Sequence, residues 1–85
     1  MRRNRLEEYL DLIGIIVQNS PVQLNAISNQ AKMEPDKLNN RIEFLVNQGL
    51  IEEHGSKKSP TFVATIRSHK ILRFFNKEIV ESKTN

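Results

Sequence analysis

The sequence predicts a small α+β domain that is mostly helical. Three observations carry that prediction. Apolar residues recur at helical spacing in four separate stretches, the last of them closing the chain. Pro35 and Gly49 bracket the third stretch as a helix start and a helix stop. Between the third and fourth lies "LIEEHGSKKSPTFVAT", two short runs of strand-forming residues around a polar loop. With 85 residues, the chain supports one domain with one modest core.

Residues 5–19 predict the first helix. Leu6, Leu10, Ile13 and Val17 follow the helical period, flanked by Tyr9 and Ile16, while Leu12 and Ile15 point to the other side. A helix apolar on two sides needs cover on both. "NSP" at 19–21 stops it, because the residue before a proline is displaced from the helical region. Val22 and Gln23 predict a very short strand. "LNAISNQA" at 24–31 predicts a second helix with Leu24, Ile27 and Ala31 inward, and "KME" at 32–34 a turn. Pro35 suits the first helical position, where its missing N–H costs nothing, and Asp36 suits the positive end of the dipole. This third helix runs to Gln48, with Leu38, Ile42 and Leu45 inward and Gly49 as a left-handed cap. Residues 50–54 and 61–65 predict the strands of a hairpin, joined by the loop "GSKKSP". Residues 66–82 predict a last amphipathic helix, striped by Ile71, Leu72, Phe75 and Ile79, before a frayed "KTN".

Two helices around a tight turn, followed by a basic hairpin, make the winged helix-turn-helix arrangement. Here it carries a C-terminal amphipathic helix. The division expected is a winged core over 1–65 and a dimerisation helix with its tail over 66–85, within one compact domain. "AKMEPDKLNNRIEFLVNQGLIEE" resembles the turn, third helix and first wing strand of small archaeal winged-helix proteins. "RNRLEEYLDLIGII" resembles their opening helix. "FVATIRSHKILRFFNKEI" resembles their closing stretch, where a threonine precedes a long amphipathic helix. The resemblance implies a double-stranded-DNA-binding domain, of transcription-regulator or chromatin-protein type, that dimerises through the last helix. Glu34 stands where such proteins tend to have a serine cap, Pro35 and Asp36 where bulky or basic residues are common, and Ser68 where glycine is frequent. The first two departures acidify the end of the helix that would approach DNA.

Bulk charge agrees with a polyanionic partner: the net charge is +3 and the sequence pI about 9.5. On the third helix Lys37 and Arg41 flank the polar face on one side and Asn39 on the other, with Asn40 and Asn47 in its middle. Asn pairs with adenine, Arg with guanine, and Lys with phosphate. Asp36 and Glu43 oppose them, except that a carboxylate accepts from cytosine N4. At the hairpin tip Ser56, Lys57 and Lys58 suit phosphate contacts. Arg2, Arg3 and Arg5 read equally as a backbone-tracking arm or a frayed terminus. For a two-fold dimer the candidate residues are Leu12, Ile15, Ile71, Leu72, Phe74, Phe75 and Ile79, with Phe44 also off the core face of its helix.

Other chemistries lack their residues. There is no cysteine, so disulfides, thiolate metal sites and thiol nucleophiles are excluded, which suits a reducing cytosol. His54 and His69 stand at no metal-ligand spacing, and the three glycines form no phosphate loop. An enzyme is not expected, and no cofactor or small-molecule ligand is evident. The longest apolar run, "LIGIIV" at 12–17, falls far short of the ~20 residues of a membrane span. Glu7, Glu8 and Asp11 interrupt any secretory signal after "MRRNR". The expected setting is cytoplasmic and nucleoid-associated. The competing reading is a protein-interaction winged helix, whose acidic third helix meets a basic partner.

Overall fold

The computed structural model describes the backbone of residues 4–84 and the surroundings of side chains as far as Phe75. Its elements are α1 (Arg5–Asn19), β1 (Val22–Gln23), α2 (Leu24–Ala31), α3 (Pro35–Asn47), β2 (Ile51–Gly55), β3 (Pro60–Ala64) and α4 (Ile66–Thr84). This is the predicted winged helix-turn-helix order. The boundaries move by one or two residues: Gln48 is the cap of α3, the hairpin loop is shorter, and α4 runs to Thr84.

Each element starts and stops for a local reason. Asn4 and Glu7 form a capping box on α1. The Glu7 N–H donates to Asn4 Oδ1 at 2.8 Å and the Asn4 N–H donates to Glu7 Oε1 at 3.1 Å. Ser20 leaves the helix at ψ 133°, ahead of Pro21. Its hydroxyl accepts from the Ala64 N–H at 3.3 Å, which ties the end of α1 to the sheet. Between α2 and α3 the chain reverses at Lys32, which is left-handed at φ 54°. The Lys32 N–H donates to the Ser28 carbonyl at 2.9 Å, and Ser28 Oγ donates to the Met33 carbonyl at 3.3 Å. Glu34 offers α3 no side-chain cap, and Pro35 occupies the first turn.

The three-stranded sheet has the order β1-β3-β2, antiparallel throughout. Val22 pairs with Phe62, and Ile51 with Ala64 at the base of the hairpin. Leu38, Ile42 and Leu45 bury the predicted face of α3. They join Leu12, Ile16, Ile27 and Ile51 in one core. Fully burying such side chains contributes about 1.5–3 kcal/mol each, so a chain this size depends on nearly all of them.

The end of α3 is closed by a Schellman motif. The Leu50 N–H donates to the Leu45 carbonyl and the Gly49 N–H to the Val46 carbonyl, both at 3.0 Å, with Gly49 at φ 74°. The next carbonyls are taken by the start of α4. Arg67 Nη1 donates to the Gln48 carbonyl at 2.7 Å. Thr65 Oγ1 lies 2.8 Å from the Gly49 carbonyl and 3.0 Å from that of Leu50. Ser68 Oγ, fully buried, also donates to the Leu50 carbonyl. A glycine at 68 would leave that carbonyl without this donor.

The structure takes Leu12 out of the expected dimer surface. Its side chain is 0% exposed within its own chain, because α2, α4 and β3 all pack on α1 and cover both of its apolar sides. Ile15, Ile71 and Leu72 are half-buried against the same core. Phe74 is 59% exposed, with its ring edge-to-face against the half-buried Phe75 at 5.3 Å. Ile79, Arg2 and Arg3 lie outside the residues whose side chains are described.

Two glycines predict opposite outcomes for one substitution. Gly49 is left-handed, and a Cβ there meets only Arg67 Nη1 at 3.4 Å, so the cost of Gly49→Ala is mainly backbone. It should destabilise by about 1–2 kcal/mol. Gly14 is inside α1, and nothing lies within 4 Å of its Cβ position. Gly14→Ala should stabilise by about 0.5–1 kcal/mol. Urea unfolding of the two variants beside the wild type measures both signs.

Candidate nucleic-acid interface

Because α3 buries Leu38, Ile42 and Leu45, its outer surface presents Asp36, Asn39, Asn40, Glu43 and Asn47, all exposed. Asn39, Asn40, Glu43 and Asn47 line one side of a groove of about 530 Å³ between α3 and the hairpin. Glu53 and Pro60 line it from the hairpin side, above the apolar side chains of Leu24, Ile42, Val46 and Phe62. The groove is therefore rich in amides and carboxylates and carries no cation in its lining.

The cations are at the tip of the hairpin. Gly55 is left-handed at φ 88°, and a Cβ there would meet the Ser59 carbonyl oxygen at 3.1 Å. The Ser59 N–H donates to both the carbonyl and the hydroxyl of Ser56, each at 3.2 Å. That turn sets Lys57 and Lys58 at its two central positions, both exposed. At the far end of β2, His54 Nε2 lies 3.1 Å from Glu52 Oε1, so both side chains project from the same face of the strand.

Lys37 and Arg41 are not on the groove. Positions 37, 41 and 44 form one edge of α3, and that edge meets α1. Lys37 Nζ is 2.5 Å from Glu8 Oε2, and Arg41 Nε donates to Glu8 Oε1 at 3.1 Å. The Arg41 guanidinium also lies 5.6 Å from the centre of the Tyr9 ring, within cation–π range. Tyr9 in turn stacks on Phe44 at 4.6 Å. The Arg41 side chain is only 17% exposed, against 44% for Lys37. Of the residues expected to contact DNA, Asn39, Asn40 and Asn47 are thus together on the groove. Ser56, Lys57 and Lys58 are together on the wing tip, and Lys37 and Arg41 are paired elsewhere.

Glu8 is the residue that sequence reasoning missed. It is 7% exposed, among the most buried charged groups described. The hydrogen bond from Lys37 lowers its pKa below the ordinary 4.5, burial pushes the other way, and Arg41 adds to the lowering. The signal was present: Glu8, Leu12 and Ile16 repeat every four residues, so a carboxylate shares the buried stripe of α1. A buried carboxylate needs partners. Their identity was not readable, because they come from 29 and 33 residues away.

No protein-family model and no curated protein matches the sequence. Solved structures do resemble the fold. MepR, a transcription regulator of the Staphylococcus aureus multidrug efflux pump MepA, superposes with a TM-score of 0.80 at 16% identity, over 91% of this chain and 59% of that one. A complex of S. aureus MepR with DNA gives a TM-score of 0.79 at 16% identity, over 89% of this chain and 65% of that one. A MarR protein from Peptoclostridium difficile gives 0.73 at 19% identity, over 88% and 50%. The chain therefore spans less than two thirds of the length of these proteins. At such identities the likeness establishes the winged-helix fold. Among the described residues, no helix is long and apolar enough to cross a membrane, and no cluster of three metal-ligating side chains occurs.

The Glu8 ion pairs predict an acid-sensitive contribution to stability. A carboxylate whose folded pKa is depressed stabilises the fold above its ordinary pKa, here 4.5, and loses that contribution as pH falls through the folded value. Glu8→Gln should therefore lower the melting temperature at pH 7 and flatten its decline on acidification. Thermal melts between pH 7 and pH 3 check this; parallel declines in both proteins would contradict it.

Proposed function

We propose that this chain binds double-stranded DNA, with α3 directed at the major groove and the wing tip on the phosphates. The observation that carries the reading is the Ser56–Ser59 turn. It presents Lys57 and Lys58 at the tip of the hairpin whose Glu53 and Pro60 line the same groove as Asn39, Asn40 and Asn47. The likeness to regulators, one of them solved with DNA, supports the same reading. Transcription regulation and DNA organisation both fit it, in a cytoplasmic, nucleoid-associated protein. Binding energy comes chiefly from phosphate contacts, since the wing supplies the exposed cations nearest the groove.

A homodimer belongs to the proposal. The winged core over 1–65 would carry the DNA surface and α4 the pairing surface. Exposed Phe74, in edge-to-face contact with the half-buried Phe75, supports pairing along α4, with Ile71 and Leu72 one turn earlier on the same helix; Ile79 would extend the same stripe. No catalytic role is assigned to any residue.

A second reading has its own observation. Asp36 and Glu43 on α3, with Glu53 of β2 lining the same groove as Glu43, make this surface acidic while Lys37 and Arg41 are held on Glu8. A basic protein partner would fit that face. Removing the acids separates the two readings. With DNA against α3, Asp36→Asn and Glu43→Gln should each tighten non-specific binding by removing a repulsion. With a protein against α3, DNA affinity should not move.

Titration of fluorescent duplexes against salt tests the main reading. Lys57→Ala with Lys58→Ala should weaken binding to all sequences alike and reduce the salt slope by about one to two. An unchanged slope would remove the wing from the interface. Sedimentation equilibrium tests the pairing: a chain that stays monomeric at high micromolar concentration would return Phe74 and Phe75 to an unpartnered surface.

A further inference from the structure

Beside the carboxylates Asp36 and Glu43, the outer half of α3 carries amides and cations, and these two differ in what holds them. Asn39, Asn40 and Asn47 are exposed and line the groove toward the wing. Lys37 and Arg41 both end on the carboxylate of Glu8, at 2.5 and 3.1 Å. Glu8 does not travel with α3. It is fixed in α1 by a capping box one turn before it and by the fully buried Leu12 one turn after it. Its carboxylate is nearly sealed from water, so releasing both cations would leave an uncompensated buried charge. Arg41 has a second restraint in the face of Tyr9, which is itself backed by Phe44.

These restraints sort the base-reading chemistry. Arginine and lysine read guanine through O6 and N7, whereas asparagine reads adenine through N6 and N7. Holding Lys37 and Arg41 against α1 withdraws the guanine readers and leaves the adenine readers. We propose that Glu8 is a specificity-determining residue. It acts through Lys37 and Arg41, and it turns the α3 surface toward adenine-bearing sites in the major groove. This rests on the DNA-binding reading above.

The experiment is selection of duplexes from a randomised pool, followed by salt titration, with the wild type, Glu8→Gln and Lys37→Gln. The wild type should enrich adenine-bearing half-sites. Lys37→Gln should leave the salt slope unchanged, because that ammonium is held on Glu8 and not on a phosphate. Glu8→Gln should steepen the slope by about 0.9 for each cation it frees, and guanine should appear in its selected sites. Folding of each variant is checked by circular dichroism. Wild-type selection of guanine sites that are lost in Arg41→Gln would overturn the proposal, as would a folded Glu8→Gln with unchanged slope and sites. If Glu8→Gln does not fold, Lys37→Gln decides: a slope reduced by about 0.9 means Lys37 already contacts phosphate and overturns the proposal. A wild type that binds no duplex at low salt overturns the DNA reading itself. A wild type that binds every duplex equally overturns only this proposal.

Discussion

Three consecutive carbonyls at the end of α3 determine where the rest of the chain can go. A helix ends with carbonyls that lack partners inside the helix. The Schellman turn at Gly49 satisfies those of Leu45 and Val46. The carbonyls of Gln48, Gly49 and Leu50 would still be open, and Thr65, Arg67 and Ser68 close them from the other side of the hairpin. The hairpin leaves at Ile51 and returns at Ala64, a directly paired couple. Its base is therefore clamped between the last turn of α3 and the first turn of α4. Both the angle of the wing and the start of α4 follow from that clamp. The buried hydroxyl at Ser68 is part of it, which gives a physical reason for a polar residue in a fully enclosed position.

Charge is divided between α3 and the wing tip. Lys37 and Arg41 are both drawn to the single carboxylate of Glu8, and what α3 presents to the groove is amide and carboxylate. The wing tip keeps its two lysines in water. Exposed charges are screened over roughly 8–10 Å at physiological salt, so the tip attracts a polyanion without being cancelled by acids farther away. On the proposed DNA reading, attraction and discrimination would belong to different elements: the hairpin would pull, and the helix would sort. Such a division makes overall affinity salt-sensitive while the sorting depends on neutral hydrogen-bonding groups.

Much of this was legible in the residues because the punctuation is strong. Pro35 and Gly49 gave the ends of α3, Pro21 the end of α1, and the period of Leu38, Ile42 and Leu45 its buried face. The wing followed from two strand-like runs around "GSKKSP". Reasoning failed where the answer depends on packing between distant segments. Leu12 and Ile15 read as a second apolar side of α1 needing a foreign partner, but α4 comes back over that helix. Lys37 and Arg41 lie at the edge of the polar face, as helical geometry required. Only the packing of α1 beside that edge reveals that they are spoken for. The asparagines line the groove and the wing lysines stand exposed at the tip, placements that follow from local periodicity and turn chemistry without long-range packing.

The two-residue strand β1 has an effect beyond its size. By pairing with β3 it moves that strand to the middle of the sheet, so β2 is left as a long open border. An open border of this kind invites a strand from another molecule, the first step toward cross-β stacking. Here the border reads Glu52, Glu53, His54 and a left-handed Gly55, all exposed. Two such borders meeting would bring carboxylates together, and the left-handed residue turns the chain out of line before a longer ladder can form. The acids on this side of the molecule thereby act as gatekeepers against self-association through the sheet.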